Sequence, residues 1–155
     1  MKSTANRIML KIFLLVQNLI KNKFNLQSLK KLYNAHGESI IEVRIYYDKY
    51  LTDLIFQGYF KIGNDTIEKI DNPKKVDGRV DTDYQTILNI AKGEIRREYQ
   101  GHVYTEPYSV LDAFSEGRLV ITGITMSEYL GDLALFQHIY YETLPDLRKY
   151  INEVI

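Results

Sequence analysis

From Ile41 onward the chain abandons helical spacing and repeats a two-residue hydrophobic period three times, with very little sequence between the repeats. Ile41, Val43, Ile45 and Tyr47 alternate with Glu42, Arg44 and Tyr46, and Leu54, Phe56, Gly58, Phe60 and Ile62 follow at the same spacing. Gly63-Asn64-Asp65 is a turn, Thr66 to Ile70 a short third strand, and Asp71-Asn72-Pro73 a further turn. Such connections are too short to cross over a sheet, so the three strands must form an antiparallel meander. A sheet of this kind needs cover for one face, and the rest of the chain must supply it.

The cover comes from stretches with helical spacing. Residues 4–22 read as a helix whose Arg7, Lys11, Asn18 and Asn22 fall along one narrow stripe, the other positions being mostly apolar. A second helix over 25–35 places Leu26, Leu29, Leu32 and Tyr33 on one face and stops at Gly37. Beyond the meander, Val76, Gly78 and Val80 make a fourth strand, and Thr82-Asp83-Tyr84-Gln85 fits a capping box for a helix with Tyr84, Ile87, Leu88 and Ala91 inward, closed by Gly93. Residues 94–109 read as a polar, tyrosine-rich loop. A short helix from Val110 to Glu116 stops at Gly117, and Leu119 and Ile121 mark a fifth strand. Thr125-Met126-Ser127-Glu128 is a second capping box, opening a helix with Met126, Tyr129, Leu130, Leu133 and Gln137 on one stripe. Leu144-Pro145 is expected to break it before a last helix carrying Leu147, Tyr150, Ile151 and Val154. The expectation is an α/β (α+β) chain with a five-stranded, mostly antiparallel sheet covered by helices. With no repeat and no linker, it reads as one domain over 1–155: N-terminal helices at 1–37, a core at 38–140 and a C-terminal helix at 141–155.

Composition removes several classes of function. With 20 basic and 20 acidic residues, overall charge nominates no nucleic-acid partner. The distribution is uneven: residues 1–37 hold seven basic residues and no acid, leaving 13 basic and 20 acidic residues elsewhere. A basic first quarter suits contact with an anionic membrane, an acidic partner, or the acidic body of the same chain. Without cysteine there is no disulfide, thiol nucleophile or thiolate metal site, and a cytoplasmic location is expected. The apolar run from Ile8 to Ile20 is too short to span a bilayer. It is followed by Lys21-Asn22-Lys23-Phe24 rather than by a small-residue cleavage site, so it reads as part of the mature chain.

The order of elements, and a set of short motifs between residues 76 and 123, resemble the sterol carrier protein 2 family. The motifs are Val80-Asp81-Thr82-Asp83 leading into Thr86-Ile87-Leu88, then Ala91-Lys92-Gly93, Ala113-Phe114, Gly117-Arg118-Leu119 and Ile121-Thr122-Gly123. The resemblance implies a sheet-and-helix fold enclosing a hydrophobic tunnel that binds or transfers lipids, without catalytic residues or a cofactor. Two departures stand near where such a pocket opens: the inserted segment 94–109, and a longer step from Ile124 to Gly131.

The residues themselves are compatible with a pocket, although for any single side chain a filled core is the simpler reading. The sheet face of Leu54, Phe56, Phe60, Leu119 and Ile121 can be covered by Ile87, Leu88, Phe114, Leu133 and Phe136. The candidate ligand-binding residues are Phe56, Phe60, Ile87, Leu88, Phe114, Leu119, Ile121, Leu133 and Phe136. Gly58 and Gly78 fall on inward positions, where a missing side chain leaves room for a close helix or a ligand. Burying about 14 methylenes at roughly 0.8 kcal/mol each yields about 11 kcal/mol, enough to offset much of an association cost of about 4–15 kcal/mol. Tyrosine supplies thirteen of the nineteen aromatics, and Tyr99, Tyr104 and Tyr108 cluster in the inserted segment. His36, His102 and His138 lack the spacing of a helical metal site. His102 is the one candidate general base, with a solvated loop histidine the simpler reading. Asp77, Asp81 and Asp83 alternate along the fourth strand, either as a cation site or as the solvent face of an edge strand ending in a helix cap. No phosphate-binding loop or nucleophile elbow is present.

Overall fold

The structure, a computed structural model, describes residues 2–35, 38–63, 65–123 and 130–154. Helices α1 (Lys2–Lys23) and α2 (Leu26–Tyr33) lead into strands β1 (Ser39–Tyr46), β2 (Leu54–Ile62), β3 (Ile67–Ile70) and β4 (Gly78–Asp83). Helix α3 (Tyr84–Lys92), a hairpin of β5 (Glu94–Tyr99) and β6 (His102–Pro107), helix α4 (Val110–Ser115), strand β7 (Leu119–Thr122) and helix α5 (Leu130–Val154) complete the order. The main sheet runs β3-β2-β1-β4-β7. The meander is antiparallel as expected, β4 joins β1 in parallel, and β7 returns antiparallel on β4. This is an α+β fold with a mixed sheet.

Register decides which face is buried. Ile41, Val43 and Ile45 stand opposite Phe60, Gly58 and Phe56, and on the other side opposite Gly78, Val80 and Thr82, which lead on to Ile121 and Leu119. That face packs on the helices. The alternate face carries Glu42, Arg44, Gln57, Arg79 and Asp81. Here Arg44 Nε donates to Glu42 at 2.8 Å, Gln57 Nε2 donates to the same carboxylate at 2.6 Å, and Arg79 Nε donates to Asp81 at 2.8 Å. Burial pushes the Glu42 carboxyl up, but the Arg44 and Gln57 hydrogen bonds outweigh it and hold the group below the usual glutamate range.

Several elements differ from the sequence expectation. Residues 94–107 are not a loop but a two-stranded ribbon, closed by Gln100 and Gly101 at φ +49° and +79°, the signature of a tight type I′ hairpin. Strand β4 is interior rather than an edge, so Asp81 and Asp83 are buried, at 6% and 3% exposure. Asp83, not Thr82, caps α3: its Oδ1 accepts from Thr86 N at 2.9 Å and its Oδ2 from Thr86 Oγ1 at 2.7 Å. Thr82 stays in the strand and donates its hydroxyl to Arg118 O. Val76 precedes β4 and is exposed. Helix α5 continues through Pro145, so the boundary expected at 140/141 falls inside it. The proline removes one N–H, whereas Leu147 and Ile151 beyond it are buried in the core, and that packing outweighs the local break. The second capping box and His36 lie outside the described residues.

Tyr140 on α5 ties the parts together. Its ring is buried, and its hydroxyl donates in a three-centre bond to Ile90 O at 2.8 Å and Tyr108 O at 2.9 Å, joining the end of α3 to the base of the hairpin. Gly93, at φ +75°, ends α3 beneath α5. A side chain there would lie 2.9 Å from Leu144 Cδ2 as well as in a strained backbone. Burial pushes the Tyr140 phenol up to about 12, against roughly 10 in an unfolded chain. A raised acid of this kind contributes stability that is whole below pH about 10 and is lost as pH rises toward 12. Urea midpoints measured from pH 8 to 12 should fall steeply above pH about 10, and Tyr140→Phe should flatten that slope.

Candidate apolar ligand site

The buried face is organised around a gap in β2. Gly58 lies between Phe56 and Phe60 on the same side of the strand, and both rings lean over it. A Cβ at Gly58 would stand 3.2 Å from Phe56 Cζ and 3.4 Å from Phe60 Cε2. Phe13 of α1 lies on top of both rings, its centroid 4.9 Å from that of Phe56 and 5.3 Å from that of Phe60, in stacked geometry. The room that glycine leaves is therefore taken by two neighbouring rings and closed by a third from the N-terminal helix.

Around this stack Ile8, Met9 and Ile12 of α1 meet Ile45, Phe56, Leu88, Ala91, Leu147 and Ile151, forming one apolar group. Phe60 and Ile87 pack against it, half-buried. A second group, on the far side of α3, joins Ile90, Ile95, Tyr108, Ala113, Leu119 and Tyr140, with Phe114 and Ile121 against it. A third joins α1 and α2 to α5 through Ile20, Leu26, Leu135 and Ile139.

The nine candidate residues are thus divided by α3. Phe56, Phe60, Ile87 and Leu88 belong to the first group, and Phe114, Leu119 and Ile121 to the second. Leu133 and Phe136 are half-buried on α5 and join neither group among the described residues. The stripe α5 buries is Leu135, Ile139, Leu147 and Ile151, because α5 is gripped by α2 on one side and α3 on the other. Leu54, expected on the covered face, is 47% exposed. Sequence reasoning missed Phe13. It lies on an apolar helix with no mark to distinguish it, and only the helix position over β2 selects it.

Polar groups near the stack are few. Tyr150 packs against the first group, and its hydroxyl is buried with no hydrogen-bond partner among the described residues. Burial raises its phenol pKa, with Arg7 acting in the opposite direction. The Tyr84 phenol is likewise raised by burial, then by Tyr47 and Tyr150, and the Tyr47 and Tyr84 rings stack at 6.2 Å. Of the two described histidines, His102 is exposed on β6, and His138 Nδ1 lies 2.9 Å from the Tyr33 hydroxyl. No cluster of metal-ligating side chains occurs among the described residues. Among the same residues, no helix is long and apolar enough to cross a membrane.

This arrangement, a meander extended by a parallel strand with helices on one face, has a counterpart among solved structures. A crystal structure of sterol carrier protein 2 superposes with a TM-score of 0.51 over 86% of this chain and 91% of that one, at 10% identity. The fold is that of sterol carrier protein 2. The sterol carrier protein domain 2 of Helicoverpa armigera (TM-score 0.47, 12% identity, 87% of this chain and 86% of that chain) is also similar. So is the apo form of Sterol Carrier Protein 2 from Yarrowia lipolytica (0.48, 12%, 83% and 86%). No family model matches the sequence, and no curated protein matches it.

Phe13 covers the Phe56 and Phe60 rings, beside the more deeply buried Ile8, Met9 and Ile12 of the same helix. Phe13→Ala should lower stability by about 2–4 kcal/mol, somewhat less than the roughly 3–5 kcal/mol of a fully buried Phe→Ala change because the ring is half-buried, measured by urea unfolding. The variant should also bind a fluorescent apolar dye more tightly than the parent does.

Proposed function

We propose that the chain binds a lipid-like apolar molecule without catalysing a reaction, between the sheet and the helices, the ligand taking the place of Phe13 on Phe56 and Phe60. The observation that carries this reading is the Phe13 stack: a ring contributed by a separate helix covers a pair of aromatic rings over a glycine notch. The fold shared with sterol carrier protein 2 supports the same ligand class. The buried Tyr150 hydroxyl offers such a ligand one hydrogen bond close to the first apolar group. We read Phe56, Phe60, Ile87 and Leu88 as the contact surface, with Phe114, Leu119, Ile121, Leu133 and Phe136 reached only by a ligand that passes α3.

Magnitudes set the ligand size. Displacing Phe13 costs about 2–4 kcal/mol. An 18-carbon chain yields about 14 kcal/mol at roughly 0.8 kcal/mol per methylene, and at the low end of the association cost about 6–8 kcal/mol remains, near micromolar. A ten-carbon chain loses about 6 kcal/mol of this and should not bind measurably.

The outer face of α1 fits delivery from a membrane. Leu10 and Leu14 are exposed between Arg7, Lys11 and Lys21, an apolar strip flanked by cations that suits an anionic bilayer surface. The absence of cysteine suits a cytoplasmic setting. A second reading, a protein-interaction domain whose pocket has collapsed, is favoured by the same filled notch.

Native mass spectrometry after mixing with oleate separates the two. A one-to-one adduct is expected, bound at least tenfold more tightly by Phe13→Ala. A clean mass for both proteins would leave the collapsed-pocket reading standing. In flotation assays anionic vesicles should retain the protein at low salt and release it at high salt, and no retention at low salt would rule out the membrane contact.

A further inference from the structure

The meander leaves part of β2 without a second neighbour. Strand β3 is four residues long and pairs only with residues 59–62. Asn72, at φ +45°, and Pro73 then carry the chain away. Residues 54–58 consequently pair with β1 alone, and every second backbone N–H and C=O along them faces the side where β3 has ended.

A cleft of about 360 Å³ lies along this edge, between Asn6 and Leu10 of α1 and residues 54–57 of β2, with Lys69 lining it from β3. It occupies the position a longer β3 would fill. Its walls are apolar at Leu10, Leu54 and Phe56. Its one charged lining residue is Lys69, whose ammonium lies 5.8 Å from the Phe56 ring centroid and pairs with no carboxylate among the described residues. The Asn6 side-chain amide already donates to Ile55 O, as the N–H of an added strand would. Exposed edges are usually blunted by such devices, and here the protection stops at one residue.

We propose that this cleft docks an extended peptide segment, which adds as a strand to the free edge of β2 and sets a carboxylate against Lys69. Backbone pairing selects the occupant. An acyl chain could cover Leu10 and Leu54 but would leave the edge N–H and C=O groups without partners, whereas a peptide satisfies both requirements. The site adjoins the Phe13 stack through Phe56, which lines both, but it is defined by the free edge of β2 and Lys69 and stands whether or not the chain binds lipid.

The test uses the full chain and a displayed library of random linear heptapeptides. Selected sequences should alternate apolar and polar residues and carry an Asp or Glu, and their synthetic versions should slow amide exchange at residues 55–58. Lys69→Glu, an exposed change whose folding is checked by circular dichroism, should weaken binding at least tenfold, and exchanging the peptide acid for Lys should restore it. N-methylation of alternate peptide residues should abolish binding in one phase and spare it in the other. The proposal is overturned if no peptide is selected or if protection falls on another surface. It is equally overturned if both N-methylation phases bind alike, or if decanoate or a second copy of the chain protects residues 55–58 as well as the peptide does.

Discussion

The packing of α1 on the sheet is built around a missing side chain. Because Gly58 has no Cβ, Phe56 and Phe60 can lie down over the strand instead of standing up from it. The flat aromatic surface they make is what Phe13 stacks on. That stack sets where α1 sits, and with it the positions of Ile8, Met9 and Ile12 against Leu88, Leu147 and Ile151. In most sheets a glycine at such a site weakens the strand. Here the loss is offset by aromatic cover from both sides of the gap.

The remainder of the fold is held by links that do not involve this stack. Tyr140 joins α5 to the end of α3 and to the hairpin base, and Arg97 bridges Glu106 and Glu116, tying the ribbon to α4. At the other end of α5, Gly131 lets its backbone approach α2 so closely that a Cβ would lie 2.5 Å from Tyr33 O and Asn34 O. Helix α1, by contrast, reaches the sheet mainly through apolar contacts, with peripheral ties from Asn6 to Ile55 O and from Lys2 to Asp53. Apolar contacts of that kind are non-directional, whereas the hydrogen bonds at Tyr140 fix both distance and angle.

What the sequence revealed follows the physics of each element. The meander was legible because alternation and short turns leave no other pairing. The β4–β1 contact was not, since it joins strands far apart in sequence, and without it Asp81 and Asp83 look like an exposed edge. The hairpin at 94–107 escaped because its strands alternate charge with charge, as in Arg96 and Glu98, and its turn is Gln-Gly rather than Asn-Gly. Thr82 and Asp83 are both good cap residues, and only the reach of the β1 pairing, out to Tyr46 beside Asp83, decides between them. Strand periodicity placed Phe56, Phe60, Leu119 and Ile121 on the covered face, but it placed Leu54 there too, which is exposed. The division of that face by α3 and its closure by Phe13 required the helices to be placed.

The central claim is that Phe13 holds the position a ligand takes. The most direct measurement is fluorine NMR of the protein carrying 4-fluorophenylalanine at position 13, titrated with oleate. The account predicts that the buried resonance of the stacked ring gives way, in proportion to bound oleate, to one at the position of a solvated ring. An unmoved resonance while oleate binds would show that the ligand lies elsewhere and that the Phe13 stack is an ordinary piece of core.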